Sequence, residues 1–173
     1  MALLRGLLDR VVLLGGTVAG GCLPGYVVQY RQRVGGRLDQ VQVDLAPFQE
    51  IANRYHGGDL AALVRHHLAS GDATFHAEGQ AIQKMMDSLA RLQAMAEGLG
   101  GTVWQQLAYL AGHFDRDIGA ATWKDWIPAF TLDAQGLVVA AVIGVGLWLA
   151  FIGVAALLAR LATGRRSWRP APR

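Results

Sequence analysis

The stretch GLVVAAVIGVGLWLAFIGVAALLA, residues 136–159, decides how this chain is read: 24 residues pass without one charge, and Arg160 follows at once. At ~1.5 Å rise per residue a helix of that length covers ~36 Å, enough to cross a ~30 Å hydrocarbon core with some tilt. The pattern predicts a transmembrane helix over 134–160 and a basic tail over 161–173. From Arg160 to the end there are five arginines and no acid.

Working back toward the N-terminus, a second apolar run covers 11–28, after Arg5 and Arg10. It is interrupted by Gly15, Gly16, Gly20, Gly21 and Pro24. A transmembrane helix, a cleaved secretory signal and a lipoprotein signal processed at Cys22 all fit its basic start, and Ala19-Gly20-Gly21 before Cys22 is a loose lipobox. The run continues past Cys22 through Leu23 and Tyr26, which favours a retained helix over 11–29. Arginines behind the second helix (Arg160, Arg165, Arg166 and Arg169) hold the C-terminus in the cytoplasm by the positive-inside tendency. Two crossings then return residues 1–10 to the same side and place 30–133 outside. Arg31, Arg33 and Arg37, just after the first helix, run against that orientation.

Composition agrees with a membrane protein: 53% of residues are hydrophobic and 17% charged, below the ~25% charged of soluble domains. The net charge of +3 is unevenly placed. Residues 30–133 carry nine Lys/Arg against twelve Asp/Glu, so the basic balance belongs to the ends and a nucleic-acid partner is not expected. Cys22 is the single cysteine, so no intrachain disulfide can form.

The middle reads as helix. Ile82, Met85, Leu89, Leu92, Ala96 and Leu99 alternate spacings of three and four, the seam of a coiled coil or helical hairpin. Val34, Leu38, Val41, Leu45, Phe48, Ala52 and Tyr55 keep the same rhythm, with Pro47 expected to kink the helix. Gly57 and Gly58 end it, Asp59 caps a short helix through Leu68, and Ser70-Gly71-Asp72 breaks the chain again. The expected picture is an antiparallel pair in which each seam buries the other. Farther on, Val103, Leu107, Leu110 and Phe114 mark one helical face. Trp123, Lys124 and Trp126 suit a membrane-interface anchor, or cap the base of the bundle.

The run Gln29-Tyr30-Arg31-Gln32-Arg33-Val34-Gly35-Gly36-Arg37-Leu38-Asp39 after an apolar start resembles the signature of a bacterial membrane family known as domain-of-unknown-function family 2937. His113-Phe114-Asp115 and the run from Pro128-Ala129-Phe130-Thr131-Leu132-Asp133 into Ala134-Gln135-Gly136-Leu137 are similar to that family's other block. The resemblance implies a two-helix inner-membrane protein and supplies no activity, because the family offers no catalytic or binding residues to carry over.

No reactive constellation stands out. The histidines are His56, His66, His67, His76 and His113, and no two of them have the helical spacing of a metal-ligand pair. A site assembled across the hairpin from His56 with His66 or His67 stays open. His113 and Asp117 have i, i+4 spacing, which a helix-surface hydrogen bond explains. The glycine pairs lie in helical patterns and not between a strand and a helix, so a phosphate loop is not indicated. Cys22 has no histidine near it in sequence, and Met85, Met86 and Met95 read as packing residues. Gly16-x-x-x-Gly20 and Ala140-x-x-x-Gly144 permit close helix contact, within the chain or with other copies or subunits.

The expectation is therefore an all-α membrane protein with two transmembrane helices flanking an extracytoplasmic helical hairpin, in a bacterial inner membrane with a periplasmic middle. It would serve as a structural or accessory component that docks through small-residue faces and the hairpin. Its partners would be the lipid bilayer and other membrane subunits or copies of itself. No catalytic, cofactor-binding or metal residue is assigned, and the chain is not expected to be an enzyme. A homo-oligomeric ring or pore is the alternative, and a metal-binding protein or enzyme using the hairpin histidines a further one.

Overall fold

The computed structural model describes the backbone of residues 2–164 and the side chains of residues 6–161. Six helices follow in order: α1 (Ala2–Tyr55), α2 (Leu60–Leu68), α3 (Ala73–Gly98), α4 (Val103–His113), α5 (Arg116–Asp125) and α6 (Ala134–Gly164). Among the described residues there is no strand. Among the described residues two helices are long and apolar enough to cross a membrane: α1 over Gly6–Tyr55 and α6 over Ala134–Leu161. The basic tail with Arg165, Arg166 and Arg169 lies outside the described residues.

The chain divides into two units. One holds residues up to Tyr26 together with those from Ile127 onward; the other is Val27–Trp126. In the first unit α1 and α6 are held together by small residues. A methyl group added at Gly20 would stand 2.9 Å from Ile143 Cβ and 3.2 Å from Ala140 Cα, and one at Gly16 would stand 3.3 Å from Gly144 Cα. At Gly144 it would strike Thr17. Gly16 and Gly20 on α1 and Ala140 and Gly144 on α6 thus occupy one another. This is the within-chain contact that the spacing allowed; at these positions the backbones are too close to admit a third helix, while Gly15, Gly146 and Gly153 stay open.

The segment 127–132 is not helical, and it closes the same unit. Phe130 lies where a side chain on Gly21 would have to go, and the Thr131 amide donates to the Gly21 carbonyl at 3.0 Å. Asp133 then starts α6, its carboxylate accepting from the Gly136 amide at 2.6 Å. A carboxylate at this position offsets the unpaired amides of the first helical turn. Cys22 is buried here, 8% exposed.

In the second unit α1 continues unbroken through Pro47, which is exposed. The proline sits on the side of the helix away from the core and does not end it. Val34, Leu45 and Ala52 are buried, as their spacing predicts, and so is Tyr30, whereas Tyr55 is 71% exposed and lies beyond the seam. The helix ends in the left-handed turn of Gly57 (φ 60) and Gly58 (φ 87), a conformation that favours glycine. Asp59 caps α2 by accepting from the Ala62 amide at 3.0 Å. Asp72 caps α3 through Thr74 at 2.7 Å.

Leu45 of α1, Val64 of α2 and Ile82 of α3 form one buried cluster, with Val41, Phe48, Leu60, Leu68, Met85, Met86 and Leu89 packed around it. Three helices therefore share a core, and the short α2 contributes a full apolar face that the sequence pattern did not emphasise. Farther along α3, Leu92, Met95 and Leu99 are buried. Thr102 and Gln105 form a reciprocal capping box at the start of α4. On α4, Leu110 is buried as expected. Phe114 is not part of that helical face, because α4 ends at His113 and Phe114 has extended backbone (φ −71, ψ 115).

The α1–α6 contact yields a prediction. Gly20→Leu forces extra atoms between two backbones and should cost roughly 1–3 kcal/mol, read as a lower midpoint of thermal unfolding in detergent. Gly15→Ala, where nothing lies within 4 Å of the added methyl, should leave the midpoint unchanged or raise it.

Candidate functional site

The polar side chains of the second unit converge at one junction. Tyr30 on α1 is fully buried, and its ring stacks on Phe114 at 5.7 Å between centroids. Its hydroxyl oxygen accepts from the Asp115 amide at 3.1 Å. The Asp115 side chain in turn caps α5, accepting from the Asp117 and Ile118 amides at 3.0 Å each, and it pairs with Arg91 of α3. Phe114 also covers Gly119, where a side chain would collide with its ring. One aromatic pair and one carboxylate thus join α1, α3, α4 and α5. Nearby, Arg33 of α1 pairs with Asp125 at the end of α5 at 2.6 Å, a surface pair worth at most about 1 kcal/mol.

A shallow groove of about 390 Å³ opens beside this junction, lined by Arg91, Ala94, Met95, Tyr109, His113, Phe114 and Asp115. Its wall is the stacked pair Tyr109 and His113, with centroids 4.6 Å apart and planes 8° from parallel. Tyr109 lies flat over Gly98. The groove offers an aromatic wall and a guanidinium, but its carboxylate is already engaged by two amides and an arginine. In chemical terms it is a joint between helices with a recess at its edge.

The histidines fall in two places. His113 ends α4, and Asp117 belongs to α5, so the helix-surface hydrogen bond expected between them does not form. His113 Nδ1 instead faces the Tyr109 carbonyl at 3.3 Å. His56, His66 and His67 are neighbours, with ring centroids 5.5 Å apart for the first two and 6.3 Å for the last two. They do not converge on a common point: among the described residues no three His, Cys, Asp or Glu side chains are placed to hold a metal ion. His67 is buried. It packs edge-on to Phe75 at 5.4 Å, with Nδ1 3.7 Å from the Glu78 carboxylate. His76 faces the Leu68 carbonyl at 2.9 Å and so serves the C-terminus of α2.

Met85 and Met86 pack on the core cluster and Met95 is buried, so all three are packing residues. Trp123 is 66% exposed, and its ring lies 5.0 Å from that of Trp126. Gln106 is buried and donates to the Gly101 carbonyl at 3.2 Å, a role no apolar periodicity could signal.

Asp115 carries a pH prediction. The Ile118 amide first, then the Arg91 guanidinium and the Asp117 amide, hold its carboxyl below the ordinary carboxylate range, while partial burial opposes them. A folded-state pKa below the unfolded value of ~3.9 adds stability that is present above that value and is lost as pH falls through the folded pKa. Asp115→Ala should cost about 1–2 kcal/mol at pH 7, measured by denaturation in detergent. Asp115→Asn keeps the cap oxygen and should cost less, and its deficit against the wild type should shrink below pH ~4.

No curated protein and no solved structure matches the chain. A family model does, described as a protein of unknown function (DUF2937), and it matches residues 4–164. That span takes in the Tyr30 run, Phe114-Asp115 and the segment that leads into α6, the residues that form the Tyr30–Asp115 and Gly21–Phe130 junctions. The chain belongs to the DUF2937 family.

Proposed function

We propose that this chain is a two-pass membrane protein in which α1 and α6 cross the bilayer as a packed pair. Residues 30–133 form a helical hairpin with interfacial helices outside, and the protein acts as a structural or accessory component of a membrane complex. The observation that carries the reading is where the apolar side chains of the two long helices face. Leu14, Val18, Leu137, Val142, Leu149, Val154 and Leu158 are each between 48% and 66% exposed, whereas the inner faces are closed by glycine contacts. A core helix of a water-soluble protein is buried by its neighbours; here only 17% of the apolar window of α6 is. Lipid is the solvent that suits such a surface.

The alternating seams of α1 and α3, with Asp59 and Asp72 setting the turns between them, support the hairpin. An accessory role is supported by what the polar groups do: Asp59, Asp72, Asp115 and Asp133 are engaged in helix caps, and Arg33 and Arg91 in ion pairs. Because Gly16, Gly20, Ala140 and Gly144 are used within the chain, docking is assigned to the surface of residues 27–126, where Val43, Ile51, Tyr55 and Phe75 are exposed. In a bacterial inner membrane the arginine-rich C-terminus would hold both termini in the cytoplasm and the hairpin in the periplasm.

At native expression level the protein should stay with its native membrane through alkaline carbonate washing and, when extracted from unwashed membranes in mild detergent, co-purify with a stoichiometric protein partner. Release by carbonate would overturn the membrane assignment. A high-mass particle of this chain alone would overturn the accessory role in favour of a self-assembled ring or pore.

A further inference from the structure

The register of the α1–α6 pair has a consequence for the charges near the N-terminus, given the reading that this pair spans a bilayer. Gly16 lies against Gly144 and Gly20 against Ala140, so the helices run antiparallel and each step up one is a step down the other. Continued by the same rule, Arg10 comes level with Ala150 and Asp9 with Phe151. These positions are well inside the apolar length of α6.

The outer edge of the hydrocarbon is fixed by backbone chemistry. Residues 127–132 are not helical, and irregular backbone exposed to lipid leaves amides and carbonyls without partners. Asp133 carries a carboxylate. Both belong outside the core, which therefore begins near Gly136. About 20 residues of helix cross it, so it ends near Ala155, level with position 5 of α1. Asp9 and Arg10 then lie ~6–8 Å inside. Sliding the bilayer the other way along α6 carries them deeper still.

The flanking residues agree. Leu7 and Leu8, on the far side of the charges, are 59% and 46% exposed, and Val11 and Leu14 on the near side are 57% and 66% exposed. The charges interrupt a lipid-facing surface; they do not end one. Ionisable residues at such depth take a partner or reach for the interface. Asp9 is half-buried and Arg10 is exposed. A long arginine side chain can extend toward the headgroups, and its planar fork matches a phosphate.

We propose that Asp9 and Arg10 lie within the hydrocarbon depth of the membrane, and that Arg10 binds the phosphate of a phospholipid drawn inward from the leaflet on the side of the chain termini.

The depth is tested with spin labels on single cysteines at Leu7, Val11 and Leu149, each in a Cys22→Ser background, in vesicles of phosphatidylglycerol and phosphatidylcholine. Collision with oxygen and with a water-soluble nickel chelate gives the depth. All three labels should favour oxygen. Water-exposed labels at Leu7 and Val11 with a lipid-exposed label at Leu149 would overturn this proposal and leave the two-pass reading standing. A water-exposed label at Leu149 would overturn both.

The ligand is tested by native mass spectrometry of the wild type, Arg10→Leu and Arg31→Leu released from bilayer discs of the same lipids. Phosphatidylglycerol should persist on the wild type and on Arg31→Leu and fall several-fold on Arg10→Leu, in which the Leu149 label keeps its depth. Equal lipid retention by all three would overturn the phosphate assignment.

Discussion

The close approach of α1 and α6 is the constraint on which the first unit depends. Gly16 and Gly20 on one helix and Ala140 and Gly144 on the other let two backbones meet where an added methyl would have no room. Between helices in lipid there is little hydrophobic drive, because the acyl chains are as apolar as leucine. What remains is dispersion contact, which is weak per atom pair and falls off steeply with distance. Small residues matter here because they bring many atom pairs into range at once, and in doing so they fix the register.

Around that contact the fold is assembled from capped helix starts. Asp59, Asp72, Thr102, Asp115 and Asp133 each stand just before a helix and accept from amides of its first turn. A cap decides where a helix begins, and the apolar spacing decides which face it buries. Together they determine the lengths of α2 through α5, and so which side chains can meet. Asp115 does more than the others, because its own amide donates to Tyr30 and its carboxylate also holds Arg91.

These two kinds of signal differ in how far they can be read from sequence. Caps and periodicity are local: Asp59, the Gly57-Gly58 turn and the Ile82–Leu99 seam were all legible, because each depends on residues within a few positions. The junctions were not. Tyr30 meets Phe114 and Asp115 across more than eighty positions, and Phe130 covers Gly21 across more than a hundred. The sequence displayed both halves of each junction as short runs without saying that they touch. His113 and Asp117 failed for a related reason: their spacing suits a single helix, but the chain breaks between them at Phe114 and Asp115. Tyr55 failed because a periodic seam carries no mark of where its partner surface ends.

The arrangement also limits what kind of recognition the protein can perform. The outward faces of α1 and α6 present valine and leucine; in the proposed bilayer setting lipid would solvate these as well as another helix would, so they would supply little drive for selecting a partner. Of the small residues that could have supplied it, Gly16, Gly20, Ala140 and Gly144 are engaged with each other, whereas Gly15, Gly146 and Gly153 have nothing within 4 Å of an added methyl. Selectivity must come from groups that lipid cannot satisfy. In the proposed membrane pair these would be the charges on α1. In residues 27–126 they are the exposed aromatic and apolar side chains, whose burial against a partner in water is favourable. On the proposed two-pass reading the α1–α6 pair is an anchor, and specificity would reside in the residues that the two helices do not use to hold each other.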